Sequence, residues 1–366
     1  MLKPSQKYLL ALNRHPKIGS KRLMRLKGQL GEWRAVWDAT EGKLKAKVGE
    51  ELAAIVADAR KQFDPDHEAD IVARIVASVV EHGDKDYPES LTELPDPPAF
   101  LYVRGTLASL KSDTIAVVGS RMATEYGRRM TESIVRPLAA SGITIVSGLA
   151  LGIDAAAHLA ALEGQGKTVG VSGCGLDRVY PQTNTALAEK MIAGGGAVIS
   201  EFAPGLPSYP ANFPVRNRIV AGLAKITLVV EAMAESGALI TAHAALEYNR
   251  EVAAVPGDAT RLQAAGSNEL LRQGAAVVTK PDDVLEMLGL VSGIGDIGAG
   301  ASEASTDKLT AEEKQIWEKL TREPLHVNML AKELKLDIAG INSTLVMLEL
   351  NGYVKRLGGN FYVKNV

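Results

Sequence analysis

Between about residues 112 and 285, short apolar runs rich in β-branched residues alternate with Gly-, Ser- or Pro-containing turns and with Ala/Leu-rich helical segments. The runs are almost continuously apolar, which is typical of strands that are covered on both faces of a parallel sheet. Six such units predict a doubly wound α/β domain. The predicted strands are Thr114–Val118, Thr144–Val146, Thr168–Val171, Ala197–Ser200, Ile226–Val230 and Val252–Val255.

Changes in composition divide the rest of the chain. The N-terminal part has apolar residues at helical spacing, and a proline-punctuated stretch follows it. After the α/β region, a Gly-, Ala- and Ser-rich stretch precedes three helical segments and two short strands around Gly358-Gly359-Asn360, an order typical of a winged helix. The predicted parts are a small helical domain over 1–85, an extended connector over 86–111, the α/β domain over 112–288, a flexible linker over 289–307 and a winged-helix domain over 308–366.

Composition excludes several classes of protein. The 366 residues are 46% hydrophobic, which is enough for two or three domains with real cores. The net charge of −2 excludes a polybasic protein that coats nucleic acid through bulk charge. Cys174 is the only cysteine, which excludes an intramolecular disulfide and thiolate-rich zinc sites. The N-terminus does not resemble a secretory signal, and the most apolar long stretch carries Lys225 and Glu231, so we expect a cytoplasmic protein without a membrane span.

The turn after the first predicted strand, Gly119-Ser120-Arg121, has the composition of an anion site. Glycine permits a tight turn, serine can cap the helix that follows, and the free N–H groups of a helix start attract an anion beside the arginine. A simple turn with a solvated Arg121 is the alternative. Ser236 and Gly237 begin another helix after the fifth predicted strand, and we expect them to offer a second phosphate contact.

The segment Asn212–Arg218 concentrates groups that suit a nucleic-acid strand. It holds an aromatic ring, two guanidinium groups and two amides within seven residues, although aromatic residues make up only 5% of the chain. Phe213 can stack on a base, while Arg216, Asn217 and Arg218 can bond phosphates or base edges. In the alternative, Phe213 fills the core and Arg216 pairs with a carboxylate such as Glu231.

Three other polar positions have a simpler structural interpretation. Asp154 and His158 lie four residues apart on one helical face, but no third metal-ligand motif accompanies them, so a packed or capping pair is expected. Cys174 lies in a glycine-rich loop that lacks the last glycine of a nucleophile elbow, so it is expected to pack in a turn. The sequence has no phosphate-binding Gly-x-x-x-x-Gly-Lys-Ser/Thr loop and no Gly-x-Gly-x-x-Gly after the first strand, so we expect neither ATP hydrolysis nor a dinucleotide cofactor.

Seven motifs, taken together and in order, resemble those of the bacterial DNA-processing protein A (DprA, also called Smf) family. They span essentially the whole α/β region with consistent spacing. The motifs are Val118-Gly119-Ser120-Arg121, Ser147-Gly148-Leu149-Ala150 with Gly152-Ile153-Asp154 and Ala157-His158, Gly173-Cys174-Gly175-Leu176-Asp177 with Tyr180-Pro181, Ser200-Glu201, Phe213-Pro214 with Arg216-Asn217-Arg218-Ile219, Ser236-Gly237-Ala238-Leu239-Ile240-Thr241-Ala242, and Val255-Pro256-Gly257.

The resemblance implies an extended Rossmann-like domain that binds single-stranded DNA without degrading it. It also implies a homodimer that protects incoming strands and loads the RecA recombinase onto them during natural transformation. The N-terminal region is similar to the family's sterile-alpha-motif or helix-hairpin-helix module, and the tail resembles the winged helix of some members. Carried over by motif, the DNA-binding residues are Gly119, Ser120, Arg121, Phe213, Arg216, Asn217 and Arg218.

Two other functions compete with this interpretation. A Rossmann-type nucleotide phosphoribohydrolase of the lysine-decarboxylase-like type has a similar fold, but its Pro-Gly-Gly-x-Gly-Thr-x-x-Glu signature is replaced here by residues 235–241. The winged helix could instead read duplex DNA. Its expected recognition helix, 337–344, has no Arg or Lys, although Lys355, Arg356 and Lys364 lie on the wing, so we expect an accessory role for it.

Overall fold

The computed structural model describes residues 2–75, 78–206, 208–290, 309–321, 325–334, 336–350, 353–357 and 361–364. They belong to two units, Met1–Val291 and Ser292–Val366. The predicted linker, from residue 291 onward, and the turn around Gly358-Gly359-Asn360 lie outside the described residues.

The N-terminal region forms six helices, as its apolar spacing predicts. Leu9, Leu23 and Val56 are fully buried in a shared core, and the indole of Trp33 donates to Glu81 at 2.6 Å. Because this core also includes residues of the large sheet such as Tyr102, the helices pack directly on the sheet. The helices are α1 (Gln6–Arg14), α2 (Ser20–Leu30), α3 (Trp33–Asp38), α4 (Glu41–Val48), α5 (Glu50–Gln62) and α6 (Pro65–Arg74).

The stretch expected to be a connector contributes to the sheet instead. Strand β1 (Ser78–Glu81) and strand β2 (Phe100–Gly105) pair with each other in antiparallel fashion, and the short helix α7 (Glu89–Thr92) lies between them. Residues 100–103 are all buried and form an apolar run like those of the predicted strands. The run was not predicted as a strand because the prolines before it suggested a connector.

The α/β region forms the parallel sheet that the sequence predicts. All six predicted strands are present, and a seventh, two-residue strand was too short to show as an apolar run. Its strands and helices are β3 (Thr114–Val118), α8 (Glu125–Ala140), β4 (Thr144–Ser147), α9 (Ile153–Glu163), β5 (Thr168–Val171), α10 (Thr185–Ala193), β6 (Ala197–Ser200), α11 (Asn212–Leu223), β7 (Ile226–Val229), α12 (Gly237–Glu247), β8 (Glu251–Ala254), α13 (Ala265–Arg272), β9 (Ala276–Val277) and α14 (Pro281–Met287), with short 3₁₀ turns at Ala108–Lys111, Gln182–Asn184 and Leu262–Ala264.

The strand order is β1-β2-β6-β5-β4-β3-β7-β8-β9, and all pairs from β6 to β9 are parallel. From β3 the chain moves outward through β4, β5 and β6. Helix α11 then carries it back to β7, on the other side of β3. This reversal is a topological switch point, where open α/β sheets leave a crevice at the carboxyl ends of their strands.

The second unit has the order of elements expected of a winged helix. Helices α15 (Ala311–Lys319), α16 (Val327–Leu334) and α17 (Ile338–Leu350) accompany a three-stranded sheet in the order β10 (Leu325–His326), β12 (Phe361–Lys364) and β11 (Val354–Leu357). Ile316, Leu330 and Leu345 are fully buried in its own core. Strand β10 escaped prediction because it has only two residues. In the part of the chain that the structure describes, no helix has the length and apolar character needed to cross a membrane.

Candidate nucleic-acid interface

A cleft of about 520 Å³ lies at the switch point between β3 and β7. Eight of the nine residues expected in the binding site line it, and Arg218 does not. The lining comes from the loops after β3, β4, β5 and β7, from the start of α11 and from the start of α12. These residues include Gly119, Ser120, Arg121, Met122, Gly148, Ala150, Asp154, Tyr180, Phe213, Arg216, Asn217, Met233, Ser236, Gly237 and Ile240.

The turn after β3 is tightly packed, and it presents Arg121 to solvent. A side chain at Gly119 would lie 2.6 Å from Cγ1 of Ile153, so this position requires glycine. The Ser120 N–H donates to the carbonyl of Glu231 at 2.6 Å, and the Ser120 hydroxyl accepts the N–H of Met122 at 3.1 Å. Ser120 therefore stabilises the turn, while Arg121 is exposed and supplies the positive charge.

Phe213, in the first turn of α11, is partly exposed in the cleft. Its ring rests on Gly173, where a Cβ atom would come within 2.8 Å of the ring. The ring centroid lies 5.3 Å from that of Tyr180 and 5.6 Å from Cζ of Arg121. Phe213 therefore does not fill the core, as the alternative interpretation required. It forms an aromatic surface with a cation beside it.

Arg216 lies beneath the cleft and is only 3% exposed. Its Nη1 donates to the carbonyl oxygens of Gly148 and Val171, and its Cζ lies 5.9 Å from the Phe213 centroid. Burial lowers the pKa of Arg216 to about 10, and the negative charge of Asp154 opposes that shift. The guanidinium is charged at neutral pH, but it is used to hold the ends of β4 and β5 against α11. Arg216 therefore has a supporting position below the cleft, and its direct contact with DNA stays a prediction.

Asp154 is the carboxylate that faces this buried cation. Its Oδ2 accepts the N–H groups of Gly148 at 3.1 Å and Ala150 at 3.3 Å. Burial raises the pKa of Asp154, while Arg216 stabilises its charged form. Glu231, which the alternative interpretation paired with Arg216, instead accepts the N–H and the hydroxyl of Thr124 at 2.9 and 2.8 Å. The carboxylate that faces Arg216 is therefore that of Asp154, and the pairing with Glu231 was wrong.

Arg218 points away from the cleft. Its guanidinium donates to Glu201 and to the carbonyl of Asp96, and its side chain is 12% exposed. Two residues along a helix rotate a side chain by about 200°, which explains why Arg218 and Arg216 lie on different sides of α11. The sequence placed all of Asn212–Arg218 in one site because it does not show how the helix is oriented.

Asn217 connects α11 to the start of α12. Its Nδ2 donates to the carbonyl of Gly237 at 3.2 Å, and its Oδ1 accepts Nε of Arg216 at 3.3 Å. Ser236 caps α12 by accepting the N–H of Ala238, and a Cβ atom at Gly237 would meet open space. The α12 start therefore opens into the cleft, with its N–H groups directed to the side where an anion is favoured.

His158 and Cys174 have structural surroundings, as expected. The Thr168 hydroxyl donates to the carbonyl of Ile145 at 2.8 Å, so its oxygen accepts a hydrogen bond from the Nδ1–H of His158, which lies 2.6 Å away. This assigns the His158 proton to Nδ1, and Nε2 has no partner within the described residues. Burial lowers the pKa of His158 to about 3, and burial raises the pKa of the Cys174 thiol. Neither group is prepared for chemistry at neutral pH.

Comparison with known proteins identifies the family. A model of DNA recombination-mediator protein A matches residues 78–289, and a model of the DprA winged helix domain matches residues 300–360. The chain belongs to the DNA recombination-mediator protein A (DprA/Smf) family. This confirms the resemblance drawn from the seven motifs.

Individual relatives agree with this assignment. Protein Smf of Escherichia coli is 46% identical over 202 residues, which cover 55% of this chain and 54% of that protein. Protein Smf of Synechocystis is 36% identical over 311 residues, covering 76% of this chain and 78% of the relative. The X-ray structure of DprA from Streptococcus pneumoniae has a TM-score of 0.68 at 33% identity, covering 76% of this chain and 97% of that one.

A Helicobacter pylori DprA structure, described as showing a single-stranded DNA binding mode, has a TM-score of 0.53 at 31% identity. It covers 58% of this chain and 95% of that chain.

Tyr180 also lines the cleft, but the sequence analysis did not include it among the site residues. It is 49% exposed and lies beside Phe213, in the loop between β5 and α10. Asn184 fixes the neighbouring loop by donating to the carbonyl of Leu149 at 2.9 Å. A sequence signal for Tyr180 was available. Tyr180-Pro181 belongs to the motif that follows the third predicted strand, and the carboxyl end of that strand lies at the same edge of the sheet as Phe213.

The described residues of the DprA-family chain contain no group of three or more His, Cys, Asp or Glu side chains that could hold a metal ion. The cleft lining includes one carboxylate, that of Asp154. It accepts the N–H groups of two residues and faces the buried guanidinium of Arg216. The cleft thus combines an aromatic surface, an exposed cation and a helix start, a set suited to holding a phosphate and a base.

Proposed function

We propose that this chain is a non-catalytic single-stranded DNA-binding protein that handles incoming strands during natural transformation. The observation that carries this proposal is the arrangement of Phe213, Tyr180 and Arg121 in one cleft at the switch point. Aromatic stacking tolerates any base, and a phosphate is attracted by a cation and by helix N–H groups. The described binding mode of the Helicobacter pylori relative supports the same ligand.

The residues divide the work. A base stacks on Phe213, with Tyr180 extending the aromatic surface. Arg121 and the N–H group of Gly237 bind phosphate, whereas the N–H of Ser236 already donates to the carbonyl of Met233 at 3.0 Å. Arg216 holds the loops from below, and Asn217 fixes α11 to α12.

The exclusion of duplex DNA follows from this arrangement, since a paired base hides its faces within the stack and cannot reach Phe213. The non-catalytic role is supported by the chemistry of the lining. The carboxylate of Asp154 is fixed by Gly148 and Ala150, so it is not positioned to act as a base on a sugar or phosphate. A nucleotide phosphoribohydrolase would release free base from nucleoside monophosphates. We expect no such release.

The finer part of the proposal is that the bound strand is passed to the RecA recombinase by a cytoplasmic homodimer. The family description as a recombination mediator supports it. The test is RecA ATPase on DNA already covered by a single-strand binding protein. Adding this chain should shorten the lag before ATP hydrolysis, and an unchanged lag would refute recombinase loading while leaving DNA binding untouched.

The DNA-binding site is tested by fluorescence anisotropy with single-stranded and double-stranded oligonucleotides. Removing the stacking ring in Phe213→Ala should weaken single-strand binding by about 1–3 kcal/mol. Phe202→Ala, at a partly exposed ring that does not line the cleft, is the matched control and should retain affinity. A folded Phe213→Ala protein with unchanged affinity, or equal affinity for duplex and single strand, would contradict the proposed site.

A further inference from the structure

The first 31 residues have a charge that the whole-chain value conceals. They contain eight Lys and Arg residues and no Asp or Glu, although the complete chain has a net charge of −2. The rest of the chain is therefore net acidic. A local charge of this size within a neutral protein is the usual mark of a surface for an anionic polymer.

Most of these cations have a structural partner. Five of the eight form ion pairs, which leaves three exposed cations, Lys17, Lys21 and Arg25, with no ion pair within the described residues. We refer to these three residues as the basic flank. The five pairs are Lys3–Asp84, Lys7–Asp66, Arg14–Glu68, Arg22–Glu51 and Lys27–Glu81.

Two residues of the basic flank, Lys21 and Arg25, share one side of α2, and Lys17 lies in the loop before this helix. Lys21 and Arg25 are four residues apart and therefore neighbours on the helix surface, and Lys17 precedes Lys21 by four residues. The like charges of Lys21 and Arg25 at this spacing repel each other, which destabilises the helix. Gly28 continues the same side without a side chain, and a Cβ atom there would meet open space. The like charges are thus retained although they destabilise the helix, and no side chain at Gly28 covers them.

The loop that carries Lys17 is held in one conformation. The N–H of Lys17 donates to Nδ1 of His15 at 3.2 Å, and its carbonyl accepts Nη1 of Arg22 at 2.7 Å. His15 is 5% exposed, and its Nε2 lies 3.0 Å from Asp58. Ile18 is buried beside it. A preformed loop loses little conformational freedom on binding, so its cation binds at lower entropic cost.

The basic flank adjoins the edge of the sheet that carries the cleft. The Ser20 hydroxyl, next to Lys21, lies 3.3 Å from Oε2 of Glu201, directly after β6. Arg14 donates to the carbonyl of Pro204 in the same loop. Glu201 in turn accepts Arg218 of α11, the helix that presents Phe213. A continuous set of contacts therefore fixes α2 to the helix that lines the cleft.

We propose that the basic flank is a second contact for single-stranded DNA, which binds backbone phosphates of a strand whose bases occupy the cleft. This rests on the proposed function, because the strand enters the flank only as an extension of the cleft. Lys and Arg bind phosphates without contacting the bases. This contact therefore raises the affinity for longer strands, whatever their sequence. A short strand fills the cleft alone, whereas a long strand reaches both surfaces.

The test compares oligothymidines of about six and about thirty nucleotides, one within and one beyond the site sizes of about 4–16 nucleotides that single-strand binding folds show. The full chain is used in fluorescence anisotropy over a salt titration. The variant Lys17→Gln/Lys21→Gln/Arg25→Gln should keep its affinity for the short strand. For the long strand it should lose about tenfold at low salt, and the slope of log affinity against log salt should become shallower by about 2.

A matched variant, Lys43→Gln/Lys47→Gln/Lys61→Gln, removes the same charge from exposed positions in the same helical region and should leave both affinities unchanged. Equal losses in the two triple variants, or unchanged long-strand binding in the basic-flank variant, would overturn the proposal. Phe213→Ala separates the two ideas. If it leaves short-strand binding intact, the cleft assignment fails, whatever the flank variant does.

Discussion

The cleft presents two arginines that differ in almost every physical respect. Arg121 is exposed at the mouth of the cleft, where it lies beside the ring of Phe213. Arg216 is 3% exposed and donates to two backbone carbonyls. We call the exposed set of Arg121, Phe213, Tyr180 and Gly237 the rim, and the buried set of Arg216, Asp154 and His158 the base. Both sets contain an arginine, yet the base is enclosed by protein and the rim faces solvent.

The difference in exposure separates two roles, stabilising the fold and binding a ligand, which a single sequence motif does not distinguish. A buried charge is expensive unless it is hydrogen-bonded, so Arg216 and Asp154 are retained in the base because their hydrogen bonds are made, and those bonds make it rigid. The rim has unused donors and an uncovered ring, so it can exchange water for a ligand. Changes in the base should therefore act on the free energy of unfolding, and changes in the rim on affinity.

The largest effect is expected from the base. Arg216→Ala leaves the carboxylate of Asp154 buried without its cation and frees the carbonyls of Gly148 and Val171. Removing one member of a buried charge pair costs about 3–5 kcal/mol. Urea unfolding should show a loss of this size. Arg121→Ala, an exposed arginine, should change stability by no more than about 0.5 kcal/mol.

Loss of folding in Arg216→Ala alone would leave the cause open to question, so a second variant is needed. Arg216→Met together with Asp154→Asn removes both charges and should recover part of the stability, because the uncompensated charge is gone. If the double variant is as unstable as Arg216→Ala, the cost comes from packing, and the base is not held by charge.

The start of α12 tests the rim without removing a side chain. Gly237 is the first helical residue, a position where proline is tolerated, and Ser236 has the extended conformation that a following proline requires. Gly237→Pro removes one N–H and should weaken single-strand binding by about 1.5–3 kcal/mol, the value of a hydrogen bond to a charged group. Stability should be nearly unchanged.

Gly237→Ala is the matched control, because it retains the N–H and its Cβ atom meets open space. Its affinity should equal that of the parent chain in the same anisotropy titration. Equal weakening by alanine and proline would mean that bulk at this position matters, and that the N–H does not bind phosphate.

The sequence predicted the fold of the sheet well, because each strand is covered on both faces and therefore reads as a separate apolar run. It failed for β1, which lies within the predicted helical domain, for β2, where neighbouring prolines suggested a connector, and for the two-residue strands β9 and β10. Short pairing is decided by tertiary contacts, which leave no periodicity to detect. The edge of the sheet that carries the site was also predictable, since parallel strands bring their carboxyl ends together.

The division between rim and base could not be predicted. Arg216 and Arg218 have the same residue type and lie two positions apart, and only the rotation of α11 decides that one lies under the cleft and the other meets Glu201. The weak amphipathic character of that helix gave no guide, because it is apolar on nearly all sides after Arg218. Tyr180 was missed as a site residue for a related reason, as loop residues have no period from which a direction can be inferred.

The smallest expected effect comes from acid acting on the base. The folded-state pKa of His158 is about 3, below the unfolded value of about 6.5, so the unfolded chain takes up a proton first as the pH falls. The stabilising contribution is complete above pH 6.5 and is lost as the pH falls toward 3. Between pH 7 and pH 5 this amounts to about 1–2 kcal/mol.

Buried carboxylates such as Asp154, whose pKa is raised, shift stability in the opposite direction, so the parent chain alone does not isolate the histidine. The measurement is therefore the difference in unfolding free energy between the parent and His158→Gln at each pH. That difference should shrink as the pH falls from 7 to 5. A constant difference would show that His158 is solvated or already charged in the folded state, and that the base is less dry than its contacts with Thr168 indicate.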